Sequence, residues 1–87
     1  MIELTSKPKL AKLFRMQYEE AQSAYVLLYP EGMVKLNQSA SEILKRCDGV
    51  RDVNSIVADI EQTFNAQDLL KDVTGFLEIA TERGWIV

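Results

Sequence analysis

The sequence predicts an α+β fold of the winged-helix type: a three-stranded antiparallel β-meander followed by three α-helices, in the order βββααα. Three observations carry this. Apolar residues recur with a period of two before Asn37 and with a helical period after it. The segments before Asn37 are short and separated by turn residues, which makes sequential strands pair as a meander. The chain has 87 residues, 47% apolar and 26% charged, enough for one domain with one modest core. Three amphipathic helices beside so small a sheet have one way to hide their apolar stripes, which is to pack on its face.

Residues 1–9 include Thr5, Ser6 and Pro8 and show no period. They are expected to form a loose, flexible arm ahead of a single domain over residues 10–87. Phe14, Met16 and Tyr18 alternate with Arg15 and Gln17, which predicts the first strand. Residues 19–23 are polar and read as a turn. The run Ala24-Tyr-Val-Leu-Leu-Tyr29 is aromatic and β-branched and predicts a more buried second strand. Pro30-Glu31-Gly32 is turn chemistry, since Pro fixes φ and Gly permits positive φ. Met33, Val34, Lys35 and Leu36 then make a short third strand.

The first helix is expected over residues 38–47. Asn37 can cap it, and Ser39 with Glu42 offers an alternative capping box. Ala40, Ile43, Leu44 and Cys47 form its apolar stripe, and Gly49 is expected as the residue that ends it. The second helix follows Asp52, with Val53, Ile56, Val57, Ile60 and Phe64 inward. The third is expected over residues 66–83, capped by Asn65, favoured by Asp68 at its N-terminus and ended by Gly84. The apolar tail Trp85-Ile86-Val87 must pack back onto the domain.

Absences narrow the function. The chain has no His, which removes Ser-His-Asp and Cys-His catalysis and His-based zinc sites. Its one cysteine, Cys47, cannot form an internal disulfide and lies on an apolar stripe, where a small core residue is expected rather than a reactive thiolate. Asp68/Asp72 and Glu78/Glu82 are like-charged pairs one turn apart, and metal ligation would need further converging ligands. No apolar run is long enough for a membrane helix and no signal peptide is visible, so a cytoplasmic protein without membrane contact is expected. The net charge of −3 and the acidic polar face of the third helix argue against a nucleic-acid partner, although a winged-helix nucleic-acid regulator is the alternative function for this fold class. What remains is a binding module: no enzyme, no cofactor, no metal.

The stretch Tyr29-Pro-Glu-Gly-Met-Val-Lys-Leu-Asn37, followed by Ile43-Leu44 and then Cys47-Asp48-Gly49, resembles the PqqD family of pyrroloquinoline quinone biosynthesis. The resemblance runs from about residue 13 to residue 86. It implies a peptide chaperone that binds the precursor peptide PqqA and presents it to PqqE, a radical S-adenosylmethionine enzyme. The iron–sulfur and radical chemistry would then belong to PqqE. The resemblance also implies that the leader adds as a strand beside the third strand, next to the third helix.

The residues support that mode on their own terms. The third strand of a meander can be an open edge, whose unpaired N–H and C=O groups can template another strand. It can equally be an ordinary edge kept from self-association by its shortness and by Lys35, and an open edge leaves both monomer and dimer as outcomes. On the third helix, Leu69, Phe76 and Ile79 widen the apolar stripe to one side, with Asp72 and Arg83 interspersed. They could wall a groove against the third strand, or Ile79 could pack on the C-terminal tail. The expected peptide-binding residues are therefore Met33, Val34, Lys35, Leu36, Leu69, Asp72, Phe76 and Ile79.

Overall fold

A computed structural model describes residues 2–87. Strands β1 (Arg15–Glu19), β2 (Ala24–Tyr29) and β3 (Gly32–Lys35) form one antiparallel sheet in the order β1-β2-β3. Helices α1 (Gln38–Lys45), α2 (Val53–Thr63) and α3 (Leu70–Glu82) follow. The βββααα order and the α+β class are those the sequence predicts.

Register explains the inner face. Met16 lies opposite Leu27, and Leu27 opposite Val34, so the three line up across the sheet. Leu27 is fully buried in the core and the other two pack against it. α1 lies on β2, α2 on α1, and α3 on α2. Leu44, Ile56 and Leu77, one from each helix, are among the largest fully buried side chains.

Helix ends depart from expectation where one residue type serves two purposes. Asn37 caps α1, its Oδ1 accepting the Ala40 N–H at 2.8 Å, and Asp52 caps α2 by accepting the Ser55 N–H at 2.8 Å. Asn65, expected to cap the third helix, instead ends the second. It adopts φ 51°, its N–H donates to Gln62 O at 3.3 Å, and the Ala66 N–H reaches back to Glu61 O at 2.9 Å. That is a Schellman closure with Asn in the left-handed position usually held by Gly. Asn suits either role, so the sequence could not decide between them.

Helix α3 consequently begins at Leu70, four residues later than expected. Asp68 sits in a left-handed loop position at φ 60°, and the side chain that reaches the Leu69 N–H is Glu61 Oε2, at 2.9 Å from α2. Leu70, the first residue of α3, is 43% exposed. Phe64 lies beyond the end of α2 and is also exposed. Helix α1 stops at Lys45 with Arg46 as C-cap, so Cys47 packs into the core from the loop beyond. Gly49, expected to end that helix, lies further on at φ 79° and donates its N–H to Pro8 O at 3.0 Å.

The N-terminal segment is another departure. Met1 lies outside the described residues, but residues 2–9 are not a loose arm. The Leu4 and Ser6 carbonyls accept the Asn54 and Val53 N–H groups at the start of α2, at 3.1 and 3.0 Å. Lys9 and Val87 exchange two backbone hydrogen bonds, at 3.2 and 2.8 Å, and Leu10 bridges Ile86. Main-chain pairing of this kind needs no side-chain period, so the segment carries no pattern to read. Ile86, buried, seats the apolar tail as expected.

Candidate functional site

The outer edge of β3 is set by the two-residue connection before it. Tyr29 and Gly32 close the hairpin and the pairing continues through Leu28–Met33, Leu27–Val34 and Val26–Lys35. Antiparallel pairs alternate between those that exchange hydrogen bonds and those that do not. The Leu36 N–H donates to Tyr25 O at 2.9 Å, which fixes the phase: Gly32, Val34 and Leu36 turn their polar groups toward β2. Met33 and Lys35 turn theirs outward, to the side of the sheet where β3 has no neighbouring strand.

This phase divides the predicted strand residues. Met33, 51% exposed, and Lys35 can offer main-chain groups to an added strand. Val34 packs against the core and Leu36 is buried within it, so these two hold the strand in place.

The predicted wall on α3 is only partly assembled. Leu69 and Asp72 line a groove of about 470 Å³ whose other walls are Gln38, Ser39, Glu42 and Ile43 of α1, with Ile60 and the exposed Phe64. These α1 residues become neighbours of α3 only on folding. The one readable signal was their position directly after the third strand. Phe76 and Ile79 do not line this groove. Phe76 is half-buried, its ring 6.4 Å from that of Trp85. Ile79 is 48% exposed on the same side of the helix as Asp72.

Electrostatics at the groove are asymmetric. Glu42 pairs with Arg46 at 2.9 Å and Lys45 at 3.1 Å, and the Arg46 hydrogen bond holds its carboxyl below the usual range. Asp72 has no ion-pair partner among the described residues. A larger cavity of about 790 Å³ lies between the N-terminal segment and the C-terminal half of α3, and none of the predicted site residues lines it.

Chemistry beyond binding finds no support in these positions. Burial pushes the Cys47 thiol up to about 12, with Asp48 adding to it, and its Sγ donates to Ile43 O at 3.4 Å. Such a thiol is not a nucleophile near neutrality. Among the described residues no group of three His, Cys, Asp or Glu side chains is placed to hold a metal ion, and no helix is long and apolar enough to cross a membrane. The exposed positions of α3 include Asp72, Glu78 and Glu82 against Lys71 and Arg83, so the nucleic-acid alternative gains nothing from the structure.

A three-stranded sheet with open edges at β1 and β3, backed by three helices with a groove between the first and third, defines a small winged-helix-like α+β domain. The family model for coenzyme PQQ synthesis protein D (PqqD) matches residues 24–86. The chain belongs to the PqqD family.

Similar proteins agree. The PqqA binding protein of Stutzerimonas stutzeri strain A1501 is 49% identical over 86 residues, covering 98% of this chain and 94% of that one. The PqqA binding protein of Pseudomonas aeruginosa strain UCBPP-PA14 is 52% identical over 84 residues, covering 95% of this chain and 91% of that one. Among solved structures, the chain is similar to the PqqD truncation of Methylobacterium extorquens PqqCD, determined by solution NMR. That protein is described as a functional, stand-alone recognition element for ribosomally synthesized and post-translationally modified peptides. The match has a TM-score of 0.77 at 27% identity and covers 92% of this chain and 87% of that one.

Proposed function

We propose that this protein is a non-enzymatic peptide chaperone of pyrroloquinoline quinone biosynthesis. It binds the precursor peptide PqqA as an added strand on β3 and presents it to the radical S-adenosylmethionine enzyme PqqE. One observation carries the reading: the β3 edge, where Met33 and Lys35 direct their main-chain groups away from β2 beside no further strand. The names of the relatives, PqqA binding proteins, supply the peptide.

Main-chain pairing along four residues with a few apolar anchors is compatible with micromolar affinity, about −8 kcal/mol. Isotope-labelled protein titrated with full-length PqqA should show its largest amide shifts at Met33, Lys35 and the Leu69–Asp72–Phe76–Ile79 side of α3. Saturable binding with shifts confined to other surfaces would overturn the site. Size-exclusion of protein, PqqA and PqqE should give a ternary complex. Strict competition between peptide and enzyme would contradict presentation.

A further inference from the structure

We propose that two copies of this protein associate through the free edge of β1, in one register, joining their sheets into one. The proposal does not depend on where a peptide binds, because β1 and β3 are opposite edges of the sheet.

The bond that phases β3 also phases β1. Tyr25 is turned toward β3 by its bond from Leu36, so Ala24, Val26 and Leu28 are turned toward β1. Their partners Glu19, Gln17 and Arg15 therefore face β2, which leaves the main-chain groups of Met16 and Tyr18 pointing away from the sheet. Among the described residues nothing outside the sheet bonds to them. The Tyr18 side chain is 50% exposed, its ring edge-on to that of Tyr25 with centroids 5.2 Å apart.

The charges choose the occupant. Arg15, Gln17 and Glu19 share one face of the strand, where Gln17 Nε2 donates to Glu19 Oε2 at 2.6 Å. Arg15 is exposed and has no ion-pair partner among the described residues. A second β1 running antiparallel must set outward residues opposite outward residues, which allows a two-fold axis at Met16, Gln17 or Tyr18. With the axis at Met16, Arg15 meets Gln17. With the axis at Tyr18, Glu19 meets Gln17. Only the axis at Gln17 sets each Arg15 opposite the Glu19 of the other copy. The same register sets Met16 opposite Tyr18, so that these pairs exchange main-chain hydrogen bonds and a thioether covers the exposed ring. Within β3, by contrast, no acidic residue answers Lys35.

An edge of five residues buries less surface than a permanent dimer needs, so the association is weak and depends on concentration.

Analytical ultracentrifugation tests this. The weight-average mass should rise from the monomer's 9.9 kDa toward twice that value between about 10 μM and 1 mM. Arg15→Glu and Glu19→Arg, each folded by circular dichroism, should weaken association about ten-fold or more, because both opposed pairs become like-charged. Mixed in equal amounts, the two variants should associate with each other, since one carries only acidic and the other only basic side chains at these positions. The double variant Arg15→Glu/Glu19→Arg should associate as the natural protein does. Raising the concentration should slow hydrogen exchange at the Met16 and Tyr18 amides and leave Met33 and Lys35 unchanged. A mass that stays monomeric at 1 mM, a dimer indifferent to the charge reversals, or protection that grows at Met33 and Lys35 instead would overturn the proposal.

Discussion

Arg46 shows what one side chain contributes at a helix end. Its guanidinium donates from Nε to Asp59 Oδ2, from Nη1 to the Glu42 carbonyl and carboxylate at 2.8 and 2.9 Å, and from Nη2 to Thr63 Oγ1 at 3.3 Å. It thereby ties the end of α1 to the outer side of α2. Lysine cannot reproduce this planar fork. Arg46→Ala should lower stability by about 2 kcal/mol, and Arg46→Lys should recover little of it, as urea midpoints would show. The effect should depend on pH. The Arg46 hydrogen bonds are the first cause depressing both the Glu42 and Asp59 carboxyls. A depressed folded-state pKa stabilises above the ordinary carboxylate range, and the gain disappears as pH falls through that range to the folded value. The gap between natural protein and variant should therefore narrow in acid. A second contrast at this scale separates Ile79 from Phe76. Ile79 is half exposed, so Ile79→Ala should weaken PqqA binding by about 1 kcal/mol with little change in melting temperature. Phe76→Ala removes the contact with Trp85 and should cost both. A fall in melting temperature for Ile79→Ala with unchanged PqqA affinity would place Ile79 in the scaffold instead.

Among the elements, β3 is where the loss of a single backbone N–H tests the proposed site. Proline at Lys35 deletes an N–H that faces outward, so Lys35→Pro should fold and lose PqqA binding. Proline at Val34 deletes a rung to Leu27, so Val34→Pro should damage the sheet itself. Circular dichroism and calorimetry on the pair give both readouts, and normal binding by both variants would move the peptide elsewhere. The strands and helix stripes behind this site were legible because burial leaves a period: Met16, Leu27 and Val34 on one face, Ile43 and Leu44 on one stripe. What could not be read depends on neighbours distant in sequence. Asn65 serves as a left-handed stop only because the Ala66 N–H finds Glu61 O, and Leu69 begins a helix uncapped by its own loop because Glu61 reaches its N–H. The α1 side of the groove was invisible for the same reason, since Gln38 and Ser39 look like ordinary polar first-turn residues.

At the scale of the whole molecule, the segment before β1 and the tail after α3 meet. Lys9 and Val87 form the backbone rung of longest reach among the described residues, and Leu10 and Ile86 the next. Joining positions nearly the full chain apart costs about 4 kcal/mol in loop-closure entropy when nothing else has yet formed. The β2–β3 hairpin and the three helices pay almost none of it. In time, then, the rung should come last: sheet and helices assemble first and shorten the effective loop before the ends are joined. A contact absent from the transition state governs escape from the native state rather than arrival at it. Leu10→Ala should raise the unfolding rate about ten-fold and leave the refolding rate unchanged, so that chevron plots share one limb and separate on the other. The amides of Lys9 and Val87 should accordingly exchange with solvent by a local opening that leaves Leu27 protected, making the joined ends the first part of the domain to come undone.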